Sequence, residues 1–142
     1  PTMSFGTGHH ATTFLMLEQM NKINFSGQNV LDFGTGTGIL AILAAQLEAQ
    51  VLAIDNDERA INNAYENIAE NHVQGSIQLK QQATVPDSKF DIILANINRN
   101  IILDNLEKME EALCSTGILL LSGLLKEDES LIKESGEKLS LT

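Results

Sequence analysis

An acid and three glycines carry the first chemical signal in this chain: Asp32, then Gly34, Gly36 and Gly38 on alternate positions within V-L-D-F-G-T-G-T-G. A short apolar run leads into Asp32, so the pattern predicts a strand entering a glycine loop. Residues 39–47 are apolar at nearly every position and contain no breaker, which predicts a buried helix opening from that loop. Glycine permits positive φ and lets a ligand approach the backbone closely, and the first turn of a helix offers N–H groups without intrahelical partners. Such a loop can seat a nucleotide-type cofactor. It can also be no more than a tight turn closing a strand–helix unit.

A second acid narrows the choice. Residues 50–54, Q-V-L-A-I, predict a buried parallel strand that ends at Asp55, the tip at which open α/β sheets bind ligands. A carboxylate there can accept hydrogen bonds from both vicinal hydroxyls of a ribose. Its alternative role is to cap the helix that starts near Glu58, although Asp57 stands better placed for that. Because acids in this position serve several nucleotide cofactors, the glycine spacing has to discriminate. The dinucleotide fingerprint G-x-G-x-x-G needs glycine at position 39, where this chain has Ile39. G-x-G-x-G followed by an acid at the end of the second strand resembles the S-adenosylmethionine-dependent methyltransferases of the Rossmann-like class.

The elements that position these residues follow from apolar periodicity. A helix over 11–22 places Phe14, Leu17 and Met20 at helical spacing, and Ser26, Gly27 and Gln28 turn the chain into the central strand. Residues 58–71 form an amphipathic helix through Ala60, Ile61, Ala64, Ile68 and Ala69, residues 76–80 a weaker strand near an edge, and residues 81–89 a polar loop containing Pro86. A strong buried strand, F-D-I-I-L-A-N, spans 90–96. A helix over 100–113 buries Ile102, Leu103, Leu106, Met109 and Leu113 and is ended by Ser115, Thr116 and Gly117. An apolar strand over 118–122 and a charged amphipathic helix over 126–139 complete the series, and residues 139–142 can begin a sixth strand. Strands alternating with helices imply right-handed crossovers and a parallel sheet covered on both faces, in strand order 3-2-1-4-5.

The 142 residues, 43% of them hydrophobic, fit one domain with a sizeable core. No apolar run approaches membrane-spanning length and no signal peptide is visible, so the expectation is a soluble cytoplasmic protein without a membrane partner. One cysteine, Cys114, excludes an intrachain disulfide. It sits near Leu113 in what reads as an apolar helical context, as packing rather than a nucleophile or metal ligand. The formal charge of −10, with no clustered Lys or Arg, argues against nucleic acid and favours a basic partner or a cationic cofactor. Nothing in the composition sets an oligomeric state.

Five segments occur here in the same order as in the family of methyltransferases acting on ribosomal protein eleven of the large subunit: the opening F-G-T-G-H-H-A-T-T, the loop D-F-G-T-G-T-G-I-L-A-I, the strand end A-I-D-N-D, the strand D-I-I-L-A-N-I and the later L-L-L-S-G-L-L. The resemblance covers nearly the whole chain. The family opens F-G-T-G-T-H-P-T-T, so this chain departs with His9 in place of Thr and Ala11 in place of Pro, while Phe5, Thr7, His10 and Thr13 match. What the resemblance implies is an S-adenosyl-L-methionine cofactor and a ribosomal protein of the large subunit as substrate, methylated on lysine side chains or its N-terminal amine. It also implies an N-terminal recognition domain and a C-terminal β-hairpin beyond this stretch. The chain then reads as a catalytic-domain fragment with one sheet edge uncovered.

By the same resemblance, cofactor contacts fall on Phe5, Thr7 and Thr13 of the opening segment, on Asp32, Gly34, Thr35, Gly36 and Gly38 of the loop, on Asp55 and Asn56 after the second strand, and on Asn96. For residues 5–13 the other reading is a plain lead-in whose threonines cap the first helix. His9 and His10 point apart on any regular element and form no metal cluster. His72 reads as a helix C-terminal cation or a solvent-exposed side chain.

Methyl transfer from a sulfonium is a direct displacement that needs no nucleophilic side chain from the protein, only alignment and dehydration. The acceptor amine must offer a lone pair, and a free lysine with pKa about 10.4 is almost wholly protonated at neutral pH. Asn96 is the candidate catalytic residue: its amide oxygen can hold the amine's N–H groups while the lone pair points to the methyl group. It can equally cap the next helix or contact the methionine end of the cofactor. His10 is a second candidate, as proton acceptor. A non-catalytic NAD(P)-type dinucleotide-binding module stands as the alternative of another class.

Overall fold

At the centre lies β1 (Asn29–Phe33), with Val30, Leu31, Asp32 and Phe33 all buried. Both faces of this strand are covered, and its neighbours flank it on both edges, hence its near-continuous apolar sequence. The computed structural model describes residues 3–122 and 139–141, with side chains for residues 12–122. Along the chain follow α1 (Met3–Met20), β1, α2 (Ile39–Gln46), β2 (Gln50–Asp55), α3 (Glu58–Glu70), β3 (Ile77–Gln81), β4 (Phe90–Ala95), α4 (Arg99–Glu111), β5 (Leu113–Leu121) and β6 (Leu139–Leu141). They build one sheet in the order β3-β2-β1-β4-β5-β6, parallel at every pairing. This is the doubly wound α/β architecture expected, in the order 3-2-1-4-5, with β6 as the sixth strand that residues 139–142 can begin.

Alternate residues of each strand face opposite layers. Val30, Val51, Ile92 and Leu94 pack with Met16, Leu40, Ala44 and Ile68 of α1, α2 and α3. Leu31, Phe33, Ile93 and Ala95 pack with Ile102, Leu106 and Met109 of α4. The register Asn29↔Gln50 and Val30↔Ile92 brings the ends of β1, β2 and β4 to a common edge. The order reverses there between β1 and β4, and such a reversal opens a crevice.

Three expectations need correction. First, α1 starts at Met3 rather than near residue 11. Proline at position 11 would remove a backbone donor and restrict residue 10, whereas Ala11 lets the helix run on through the opening segment. Second, Phe14 is 61% exposed, and the buried stripe of α1 is Met16 and Met20, an i, i+4 pair. Third, α4 ends at Glu111 with Ala112 as its C-cap, and Leu113 already belongs to β5. Pairing moves from Phe90↔Leu113 to Ile92↔Ile118 across a bulge. Gly117 permits it, since a Cβ there would lie 2.6 Å from Leu113. Cys114 therefore sits on a strand, where its thiol donates to Asp91 Oδ1 at 3.4 Å. The sixth strand that residues 139–142 can begin is present as β6, Leu119 of β5 pairing with Leu139. The helix expected over 126–139 lies outside the described residues except for Leu139, which is strand.

Candidate functional site

The ends of β1, β2, β4 and β5 converge on a cavity of about 730 Å³ lined by Gly34, Gly36, Asp55, Asn56, Asn96 and Ser122. Each side chain is delivered by a strand end, and the loop after β1 forms the floor. Gly34 and Thr35 both donate backbone N–H bonds to the Ile54 carbonyl at 2.9 Å, and Gly38 closes the turn by donating to the Thr35 carbonyl at 2.9 Å. The loop is thus anchored to β2 before it enters α2.

The three glycines serve different purposes. All have positive φ, between 57° and 86°, a region costly for other residues. A Cβ on Gly34 would lie 2.2 Å from Cγ2 of Ile97, and one on Gly38 would lie 3.2 Å from the Ala64 Cβ. Those two glycines admit protein, a side chain in one case and helix α3 in the other. Gly36 alone of the three meets nothing within 4 Å, and it faces the cavity. This is the place where the loop has room for a ligand.

Asp55 ends β2 half-buried, with both oxygens engaged by backbone: Gly36 donates to Oδ2 at 2.9 Å and Asp57 to Oδ1 at 3.0 Å. Each carboxylate oxygen accepts more than one hydrogen bond, so capacity for a diol remains. Asp57 caps α3 as expected, its Oδ1 accepting from the Arg59 N–H at 3.0 Å. Asn67 of α3 donates to the Thr37 carbonyl at 2.9 Å, which ties that helix to the loop.

Asp32 is fully buried and accepts from the Thr35 hydroxyl at 2.7 Å. Burial pushes its carboxyl from 3.8 up to about 6; the Thr35 hydroxyl and the backbone at Ala41 oppose that shift, and the Asp55 charge adds to it. Oδ1 of Asp32 has no hydrogen-bonding partner.

Asn96 follows β4 and is held at both ends of its amide. Nδ2 donates to Thr13 Oγ1 at 2.9 Å, and Oδ1 accepts from the Ser122 hydroxyl. Asn98, not Asn96, caps α4, accepting from the Asn100 N–H at 2.7 Å.

Of the residues singled out from the sequence, Gly34, Gly36, Asp55, Asn56 and Asn96 line the cavity together, and Thr13 reaches it through Asn96. Asp32, Thr35 and Gly38 stand behind the loop, in contact with protein. Phe5, Thr7 and His10 lie on α1, and their side chains fall outside the described residues. His72 follows the C-cap of α3, exposed, at φ 59°. No group of metal-ligating side chains occurs among the described residues. Sequence reasoning passed over Gln82 and Ala83 after β3, Ile97, Asn98, Arg99 and Ile101 after β4, and Ser122 after β5. The crevice rule used for Asp55 points to the same edge of every strand, and would have found them.

A family model described as Ribosomal protein L11 methyltransferase (PrmA) matches residues 1–141. The chain is 46% identical over 145 residues to the ribosomal protein L11 methyltransferase of Porphyromonas gingivalis, with all of this chain and 50% of the relative covered. It is 42% identical over 150 residues to that of Chlorobaculum parvum, again with all of this chain and 51% of the relative covered. The chain spans about half the length of the curated relatives it matches. Among solved structures, the ribosomal protein L11 methylase of Lactobacillus delbrueckii superposes with TM-score 0.78 at 34% identity, over 95% of this chain and 70% of that one. The Thermus thermophilus 16S rRNA N2 G1207 methyltransferase, in complex with AdoMet and guanosine, superposes with TM-score 0.76 at 22% identity, over 89% of this chain and 38% of that one, a likeness of fold. These relatives give the dinucleotide-module alternative no support.

Proposed function

The chain belongs to the ribosomal protein L11 methyltransferase family, and from that premise we propose that it is the S-adenosylmethionine-binding catalytic domain of an enzyme that methylates amino groups of ribosomal protein L11. The observation that carries the reading is Gly36: a left-handed glycine with open space before it, lining one cavity with Asp55 and Asn96 at the reversal of strand order. A cavity with that floor fits an adenosyl cofactor. S-adenosylmethionine, when bound, supplies a methyl group already activated on a sulfonium.

The protein's own part is to hold and align. Asp55 accepts from the ribose hydroxyls while its backbone partners keep the carboxylate aimed into the cavity. Gly36 lets the ligand rest on the loop. The Asn96 amide oxygen, with one lone pair on Ser122, offers the other to an N–H of the acceptor amine and orients the amine's lone pair. Ile97 and Ile101 line the same cavity, and apolar surroundings favour the neutral amine over its ammonium form. The formal charge of −10 complements a basic ribosomal protein, and no helix among the described residues is long and apolar enough to cross a membrane. A cytoplasmic enzyme accords with such a substrate. Recognition of the whole substrate protein belongs, on this reading, to a further domain, as the family resemblance implies.

Calorimetry with S-adenosylmethionine and NAD side by side tests cofactor choice, and methyl incorporation into purified L11 by the full-length polypeptide tests the reaction. Binding of the adenosyl cofactor with transfer to amines is expected. Binding of NAD alone would overturn the reading.

A further inference from the structure

Ser122 closes β5 with a hydroxyl where Leu119, Leu120 and Leu121 before it are all buried and apolar. At 1% exposure, that hydroxyl is costly unless hydrogen-bonded. Its partner is the Asn96 amide oxygen. The backbone sets the pair, because the Ser122 N–H donates to the Ala95 carbonyl at 3.1 Å and so locks the end of β5 beside the end of β4. On its other side the Asn96 amide nitrogen is engaged by Thr13 of α1 at 2.9 Å. An asparagine at a strand end otherwise turns freely about two side-chain bonds, and its oxygen can face any direction. Here one lone pair is committed to Ser122, and the second remains for the cavity that both residues line.

We propose that Ser122 is a positioning residue, whose hydroxyl holds the Asn96 amide so that the free lone pair of its oxygen faces the acceptor amine. The inference rests on the amino-methyltransferase reading of this site. Ser122 acts through Asn96, and its loss therefore has no consequence once Asn96 is gone.

The test uses the full-length polypeptide and two independent readouts. Without cofactor, NMR follows the Asn96 side-chain amide, assigned by its disappearance in Asn96→Asp. Ser122→Ala is expected to speed exchange of those protons with water. In turnover, Ser122→Ala should lower kcat by about 5- to 30-fold, the loss of one oriented hydrogen bond, with cofactor affinity changed less than about twofold. In an Asn96→Ala background the same substitution should change kcat by less than about twofold. Ser122→Cys, which keeps a weaker donor, should restore part of the rate. An unchanged Asn96 amide signal in Ser122→Ala, additive losses in the double variant, or a loss of cofactor affinity as large as the loss of rate would each overturn the proposal. A wild-type chain that transfers no methyl group would overturn the reading of the site, and amide exchange would then decide the clamp by itself.

Discussion

The backbone N–H of Gly36 donates to Asp55 Oδ2 at 2.9 Å, so the acid expected to grip a ribose also pins the turn on which the cofactor would rest. Removing Asp55 therefore acts twice. Asp55→Ala should weaken S-adenosylmethionine binding by about 1.5–3 kcal/mol, through the lost charge-assisted bonds and a loosened loop. Asp55→Asn, which can still accept from Gly36 N–H, should lose less. Titration calorimetry on both variants checks this, and equal affinity in wild type and Asp55→Ala would remove Asp55 from the site.

The glycines separate fold from ligand. Gly34→Ala places a methyl group 2.2 Å from Ile97 Cγ2 at φ +79° and should destabilise the chain by roughly 2–4 kcal/mol, through left-handed strain plus overpacking. Combining it with Ile97→Ala should recover the packing part. Gly36→Ala, with open space around its Cβ, should cost only about 1–2 kcal/mol of stability while markedly weakening cofactor binding. Urea unfolding beside calorimetry distinguishes the two patterns.

Asp32 makes stability depend on pH in a stated direction. Its carboxyl titrates at about 6 in the fold against 3.8 ordinarily, so between those values the folded state binds more protons than the unfolded chain. Stability then falls as pH rises through that window, and at neutral pH the charged, buried carboxylate is a burden on the order of 3 kcal/mol. Glu110, raised by partial burial and by the Glu107 charge, acts with the same sign. Asp32→Asn should flatten the dependence between pH 4 and pH 7, measured as urea midpoints. A variant that keeps the full wild-type slope would exclude Asp32 as its source.

Asn96→Ala should lower the rate at saturating substrates by about 10- to 1000-fold, in line with losing a positioned polar group, with cofactor affinity falling much less. Asn96→Asp keeps an acceptor but sets a negative charge beside a sulfonium, favouring the charged ground state. Single-turnover rates and dissociation constants measured together check both. Normal transfer once saturated would assign Asn96 to cofactor binding.

Local chemistry was legible where one pattern answers one constraint. Alternating glycines after an apolar run predict a strand and loop, and the glycine spacing, with Ile39 opening α2, separates this loop from the dinucleotide type. Asp57 as the cap of α3 and Asp55 at the tip of β2 follow from offsets within a few residues. The parallel sheet follows from alternating strand and helix periods. The missed features depend on partners distant in sequence. The bulge that starts β5 at Leu113 answers to Phe90 on another strand, and the exposure of Phe14 answers to which face of α1 meets α2.

By itself, then, the sequence determined the glycine loop, its acids and the alternation of strands with helices, because these are set by backbone sterics and hydrophobic period within short windows. Only the tertiary structure decided what each glycine faces, that Asp32 is sealed away with one oxygen unpartnered, and that Asn96 is clamped between Thr13 and Ser122. Those contacts join residues 83 and 26 positions apart in the chain. No local propensity encodes them: they exist because parallel pairing carries the ends of separate strands to one edge of the sheet.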